Sequence, residues 1–239
     1  SKSYEDSLST YDKKTKGIYY TPKTIVSYIL NETLKNHDIV KNPQPRILDL
    51  SCGCGNFLIE AYDILYNLIK NNLEMINKTY GEDYIKNIST HIITKCIYGI
   101  DIDEDAIKIL KLTLNRKKLS NDGKEKDLPI IINNISCEDA LKKNYQIKFD
   151  YIIGNPPYGA KFNLGRKFYD KSCELGDYIA FILPIRQLNN TQQLYKFDLI
   201  YSEDLGKVKF SNKKDVHCCL NVYVRPKNGL NKKPNNKLN

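Results

Sequence analysis

Short apolar runs alternate with segments of helical period along most of this chain, and that alternation constrains the fold more than any other feature. Arg46–Leu50, Ile97–Ile102, Ile130–Ile132, Asp150–Ile153 and Tyr178–Leu183 read as buried strands, with a sixth over 197–210 and a seventh over Cys218–Val224. Between them, Phe57, Leu58, Ala61, Leu65, Leu68 and Ile69 share one helical face, as do Ile107, Leu110 and Leu114. Strands that alternate with helices predict a mixed, mainly parallel seven-stranded sheet covered by helices on both faces.

Punctuation supports this division. Thr21-Pro22 combines a hydroxyl N-cap with proline at the first helical position, and Ile25, Ile29, Leu30 and Leu34 follow at helical spacing. Glu104 and Asp105 open a later helix and Arg116, Lys117 and Lys118 close it, both in the sense that suits the helix dipole. Asn121-Asp122-Gly123 reads as a turn, and the polar stretch 74–90 has no clear period. Residues 1–16 are expected to be a flexible segment, 17–225 a single domain, and 226–239 a disordered basic tail.

The net charge of +9 favours a polyanionic partner, although enrichment in Lys, Asn, Ile and Tyr also fits an AT-rich genome. The seven cysteines form no Cys-x-x-Cys pair, and none of the three histidines stands at ligand spacing from one, which argues against a metal site. Free cysteines in strand-like runs fit a reducing cytoplasm. No apolar stretch approaches the roughly 20 residues of a membrane span.

Four constellations carry chemistry. Asp49-Leu50-Ser51-Cys52-Gly53-Cys54-Gly55 places glycines between a strand and a helix, where a cofactor can approach the backbone. It lacks the third glycine of a dinucleotide site, and its leading carboxylate suits a cationic or amino-bearing ligand rather than a pyrophosphate. Asp101 ends the next strand, where an acid accepts from ribose hydroxyls; Asp103 is either a rival for that role or a helix N-cap. Asp139-Ala140 follows the third strand and offers a carboxylate to an amino group. Asn155-Pro156-Pro157-Tyr158 follows the fourth. Two prolines remove two donors and fix the chain's direction, leaving carbonyls, an amide and an aromatic ring that suit a flat amino-bearing base.

Gly17-Ile18-Tyr19-Tyr20-Thr21-Pro22, the Asp49–Gly55 turn, Asp101, Asp139-Ala140 and Asn155-Pro156-Pro157-Tyr158, in this order, resemble the amino-group DNA methyltransferases, most of all the gamma-class N6-adenine enzymes of restriction–modification systems. The resemblance implies a Rossmann-like class I fold over residues 17–225 and S-adenosylmethionine as cofactor. It places Tyr20 and Thr21 at the methionine end, Asp49, Ser51, Gly53 and Gly55 along the cofactor, Asp101 and Ile102 at the ribose, Asp139 and Ala140 at the adenine, and Asn155 beside the methyl. Asn155 and the Pro156 carbonyl would accept from a flipped adenine amine, Pro157 would stiffen the corner, and Tyr158 would stack on the base.

Phe210 resembles the aromatic that covers the base's other face; it reads equally as a core residue ending a strand. Lys161, Arg166 and Lys167, with Lys207, Lys209, Lys213 and Lys214, are either a phosphate-contacting rim or solvated loop charge. Nothing resembles a target-recognition domain, which leaves a catalytic fragment or minimal enzyme, a partner subunit that supplies specificity, or an RNA substrate. Glutamine methyltransferases of translation factors share the Asn-Pro-Pro-Tyr corner, and a silent cofactor- or nucleic-acid-binding subunit is the reading from outside the enzymes.

Overall fold

The computed structural model describes residues 21–122, 129–210 and 215–234. They fall into two compact units, one spanning Lys23–Ala140 and the other running from Leu141 onward, with Thr21 and Pro22 grouped with the second.

The first unit opens with α1 (Lys23–Leu34), which buries Val26, Ile29, Leu30 and Leu34. Strand β1 (Ile47–Asp49) leads through the glycine turn into α2 (Asn56–Tyr80). A one-turn helix α3 (Ile88–His91) and a π-turn (Ile92–Cys96) then deliver the chain to β2 (Ile97–Asp101). Helix α4 (Glu104–Asp122) and β3 (Ile135–Cys137) complete the unit. The strands run parallel in the order β3-β2-β1, with Asp49 opposite Gly99 and Asp101 opposite Cys137.

Helix α2 buries Phe57, Leu58, Ala61, Tyr62, Leu65, Ile69 and Ile76 at positions three, four and seven apart, each large aliphatic side chain contributing about 1.5–3 kcal/mol. It runs eleven residues beyond the apolar face visible in the sequence, because Ile76 is the one buried residue of that extension. Ser27 Oγ donates to Glu60 Oε1 at 2.7 Å and joins α1 to α2. Helix α4 includes Asn121 and Asp122, which read as a turn in the sequence; Gly123 lies outside the described residues.

The expected third strand is displaced. Ile130–Ile132 forms no ladder, and β3 begins at Ile135. A side chain on α4 explains the shift. Asn115 Oδ1 accepts the Ile130 backbone N–H at 2.8 Å, and Asn115 Nδ2 donates to the Ile130 carbonyl at 3.3 Å. Both backbone groups of Ile130 are satisfied without a neighbouring strand. Ile131 is left 83% exposed, so the apolar run was no measure of burial there.

The second unit contains β4 (Phe149–Gly154), a 3₁₀ turn (Ala160–Phe162), α5 (Asn163–Leu175), β5 (Gly176–Pro184), a second 3₁₀ turn (Ile185–Gln187), β6 (Asp198–Lys209) and β7 (Asp215–Val224). Its strand order is β4-β5-β7-β6, with β4 and β5 parallel and β7 antiparallel to both of its neighbours. Asn221 in β7 is fully buried; its amide donates to the Gln187 carbonyl and the Tyr223 hydroxyl, each at 2.8 Å, and accepts from Ser202. Of the basic tail, residues 226–234 carry no regular structure, and Asn231 bonds the Lys196 carbonyl and Asp198. The remainder of the tail and residues 1–16 lie outside the described residues.

Replacing Asn115 with alanine removes both partners of Ile130. Stability is expected to fall by about 1–3 kcal/mol in urea unfolding, and a loss below about 0.5 kcal/mol would show that water replaces the clamp.

Candidate active site

In the first unit the chemistry gathers at the carboxyl ends of three parallel strands, where open α/β sheets bind ligands. Asp49 ends β1, Asp101 ends β2, and Asp139 follows β3 by two residues. The glycine turn is built around the two strand-end acids. Asp49 Oδ1 accepts the Ser51 N–H at 3.0 Å. Asp101 Oδ2 accepts the Gly53 N–H at 2.8 Å, and its Oδ1 accepts the Asp103 N–H at 2.9 Å. Gly53 and Gly55 both have positive φ, at 50° and 86°. A Cβ on Gly55 would lie 2.1 Å from Leu110 Cδ1, so α2 can start here only on a residue without a side chain.

Asp103 accepts the N–H groups of Asp105 and Ala106 through Oδ1 at 3.1 and 3.2 Å, which makes it the N-cap of α4. That capping engagement leaves Asp101 as the acid of the turn.

The electrostatics of this end are unusual. Asp49 is 2% exposed, and burial pushes its carboxyl up to about 7 despite the Ser51 N–H that holds it back. Burial also raises Asp101, with the Asp103 and Gly53 N–H groups opposing, and raises the Cys52 thiol well above its ordinary range. The second oxygen of Asp49 has no hydrogen-bond partner among the described residues. Two acids drawn out of water form a place that favours a positive charge. Beside them Ile102 is 68% exposed, an apolar side chain held open at a strand end. Asp139 is half-buried and Ala140 buried. Thr21 is buried just ahead of α1, and Tyr20 lies outside the described residues.

In the second unit, β4 delivers Asn155-Pro156-Pro157-Tyr158. Pro156 is buried, while Asn155, Pro157 and Tyr158 are half-buried. The turn beyond this corner was not legible in the sequence. Lys161 and Phe162 both have positive φ, at 51° and 65°, a pair of left-handed residues that turns the chain into α5. The Phe162 ring occupies the space a side chain at Gly165 would need, where a Cβ would sit 2.2 Å from Cε2. Gly165 N–H in turn donates to the Tyr158 carbonyl at 3.2 Å and ties the corner to the helix.

The Tyr158 hydroxyl donates to Asn155 Oδ1 at 2.8 Å and lies 3.8 Å from Cys218 Sγ on β7. Cys218 stands opposite Pro184, at the carboxyl end of β5. Sequence reasoning missed this contact, which depends on strand register. Phe210 directly follows β6 and is 2% exposed. Lys161, Arg166, Lys167, Lys207 and Lys209 are exposed, as is Arg186, which the sequence did not single out; Lys213 and Lys214 lie outside the described residues.

The sequence matches the N-6 DNA Methylase family over residues 1–199. The chain belongs to that family. It is 32% identical over 160 residues to the Type II methyltransferase M.VspI of Vibrio sp. (strain 343), a match that covers 66% of this chain and 29% of that protein. It is 27% identical over 148 residues to the rRNA N(6)-adenosine-methyltransferase METTL5 of Danio rerio, covering 62% of this chain and 52% of that one. The chain thus spans from under a third to about half of these relatives' length. Among solved structures, the Type I restriction enzyme EcoKI M protein superposes with a TM-score of 0.61 at 16% identity, covering 95% of this chain and 47% of that one.

The fold is the Rossmann-like class I methyltransferase fold, and the family's cofactor is S-adenosylmethionine. The residues present fit that cofactor. Its methionine end carries an ammonium, which matches the buried carboxyl of Asp49, and the side-chain-free backbone at Gly53 and Gly55 leaves room beside the strand ends.

Asp49 fixes the sign of a pH effect. Its carboxyl is raised on folding, so the stabilisation is complete below the unfolded value near 3.8 and is lost as pH rises through about 7. Asp49→Asn is expected to flatten the pH dependence of urea midpoints between about 4 and 7 and to stabilise the cofactor-free protein at pH 8. Parallel wild-type and variant curves would refute the raised carboxyl.

Proposed function

We propose that this chain is the catalytic domain, over residues 17–225, of an adenine-specific DNA methyltransferase that modifies the N6 amino group of a base flipped out of the duplex. The observation that carries the reading is the Asn155 corner at the carboxyl end of β4 in a member of the N-6 DNA methylase family.

The chemistry follows from the acceptors. The N6 lone pair is delocalised into the adenine ring, which makes the amine a poor nucleophile. Asn155 Oδ1 and the Pro156 carbonyl accept one N–H each and draw the nitrogen toward tetrahedral geometry. Proline fixes the carbonyl's direction, so little reorganisation is required as charge develops. The cofactor supplies an electrophilic methyl on a sulfonium. With that methyl supplied, the amine nitrogen held by Asn155 and Pro156 would be the acceptor, and its surplus proton would leave to solvent. Asp49 would hold the cofactor's ammonium, Asp101 the ribose hydroxyls with Ile102 beside them, and Asp139 with Ala140 the adenine amine. Ser51, Gly53 and Gly55 line the turn, Thr21 and Tyr20 adjoin the methionine end, Pro157 stiffens the corner, and Tyr158 stacks on the target base. Phe210, buried where it follows β6, is the candidate for the second stacking position.

The exposed Lys161, Arg166, Lys167, Lys207 and Lys209, together with Arg186, would meet phosphates and register the duplex. Selection of a target sequence falls to a further domain or a separate subunit. RNA is the second reading, favoured by the likeness to the rRNA enzyme.

Labelled methyl transfer to duplex DNA, RNA and a glutamine-bearing peptide separates these substrates, and DNA is expected to be the acceptor. Asn155→Ala should lower kcat by about 10²–10³-fold while cofactor binding by calorimetry stays within about twofold of wild type. Full activity in Asn155→Ala would sink the mechanism, and exclusive transfer to RNA or peptide would replace the substrate.

A further inference from the structure

We propose that the Tyr158 hydroxyl is a positioning group that aims the Asn155 carboxamide, with the Cys218 thiol as its backstop, a role separate from stacking by the Tyr158 ring. The inference rests on the proposed function and deepens it. Three observations carry it.

The first is the bond itself. Tyr158 Oη donates to Asn155 Oδ1 at 2.8 Å, a good geometry for a neutral O–H···O bond. The oxygen engaged is the one that must accept from the substrate amine. A carbonyl oxygen has two lone pairs, so the hydroxyl takes one and leaves one for the amine.

The second is the ambiguity that this bond removes. The oxygen and NH2 ends of an asparagine side chain are nearly isosteric, and its terminal torsion is broad and two-fold. Turned over, Asn155 would present donors to an amine that itself donates, and the acceptor pair would be lost. A hydroxyl donor on Oδ1 selects the oxygen-inward state. In the reversed state that hydroxyl would lose the carboxamide oxygen and face Cys218 Sγ, 3.8 Å away, and sulfur is a weak acceptor.

The third is rigidity. Donor and acceptor are separated by Pro156 and Pro157, whose φ angles are locked, so closing the ring between residues 155 and 158 orders little additional chain. The Gly165 N–H fixes the Tyr158 carbonyl from the other side. Cys218 is fully buried and held in register on β7 opposite Pro184, which fixes the thiol beside the hydroxyl.

Tyr158→Phe keeps the ring and removes only the hydroxyl. The expected result is a kcat lowered by about tenfold, with the nucleic-acid KM and cofactor affinity within about twofold of wild type, since stacking and cofactor contacts are untouched. In an Asn155→Ala background the same change should have no further effect, because the hydroxyl acts through that carboxamide. A purely structural role would instead raise KM, lower the melting temperature and persist in the Asn155→Ala background. An unchanged kcat overturns the inference alone; so does a faster variant, which would make the hydroxyl a competitor for the oxygen. Absence of transfer by wild-type protein to DNA, RNA and peptide overturns the proposed function and this inference with it.

Discussion

The Asp101 carboxylate organises the carboxyl-end site of the first unit. One of its oxygens holds the Gly53 N–H in the turn after β1, and the other holds the Asp103 N–H at the start of α4. Two strand ends, a glycine turn and a helix start are therefore fixed by a single side chain. The cost is burial of an acid beside a second one, and it falls mainly on Asp49, whose carboxyl is driven toward neutrality. A site that stores this unfavourable charge is one that gains when a cation arrives. Structure and electrostatics thus share one origin at this end of the molecule.

The proline corner obeys a different rule. It is held by geometry: locked φ angles, the Gly165 N–H on the Tyr158 carbonyl, and the hydroxyl bond inside the tetrapeptide. No titratable shift is needed for its chemistry, since its acceptors are amide and peptide oxygens. One unit tunes charge and the other fixes direction, and the proposed reaction would call for both.

Much of this was legible because buried parallel strands leave continuous apolar runs. Residues 46–50, 97–102 and 150–153 announced β1, β2 and β4 and so located Asp49, Asp101 and Asn155. Ile130–Ile132 misled for a physical reason: one asparagine on α4 replaced the neighbouring strand that the run called for. The stretch 74–90 was opaque because most of its side chains face solvent while its backbone stays largely helical. Helix α5 went unread because charged residues interrupt Phe168, Tyr169, Cys173 and Leu175, which are buried at helical spacing. The tetrapeptide gave the residue types of the corner, but where the Tyr158 hydroxyl lands depends on β7, sixty residues away.

The two left-handed residues just past the corner carry a consequence for insertions and deletions. Phe162 fills the notch at Gly165, and the φ values of Lys161 and Phe162 set the angle at which α5 departs. Lengthening or shortening this connection by one residue would move the aromatic out of its notch and rotate the corner with it. The connection between the corner and α5 therefore tolerates a change of residue more readily than a change of length.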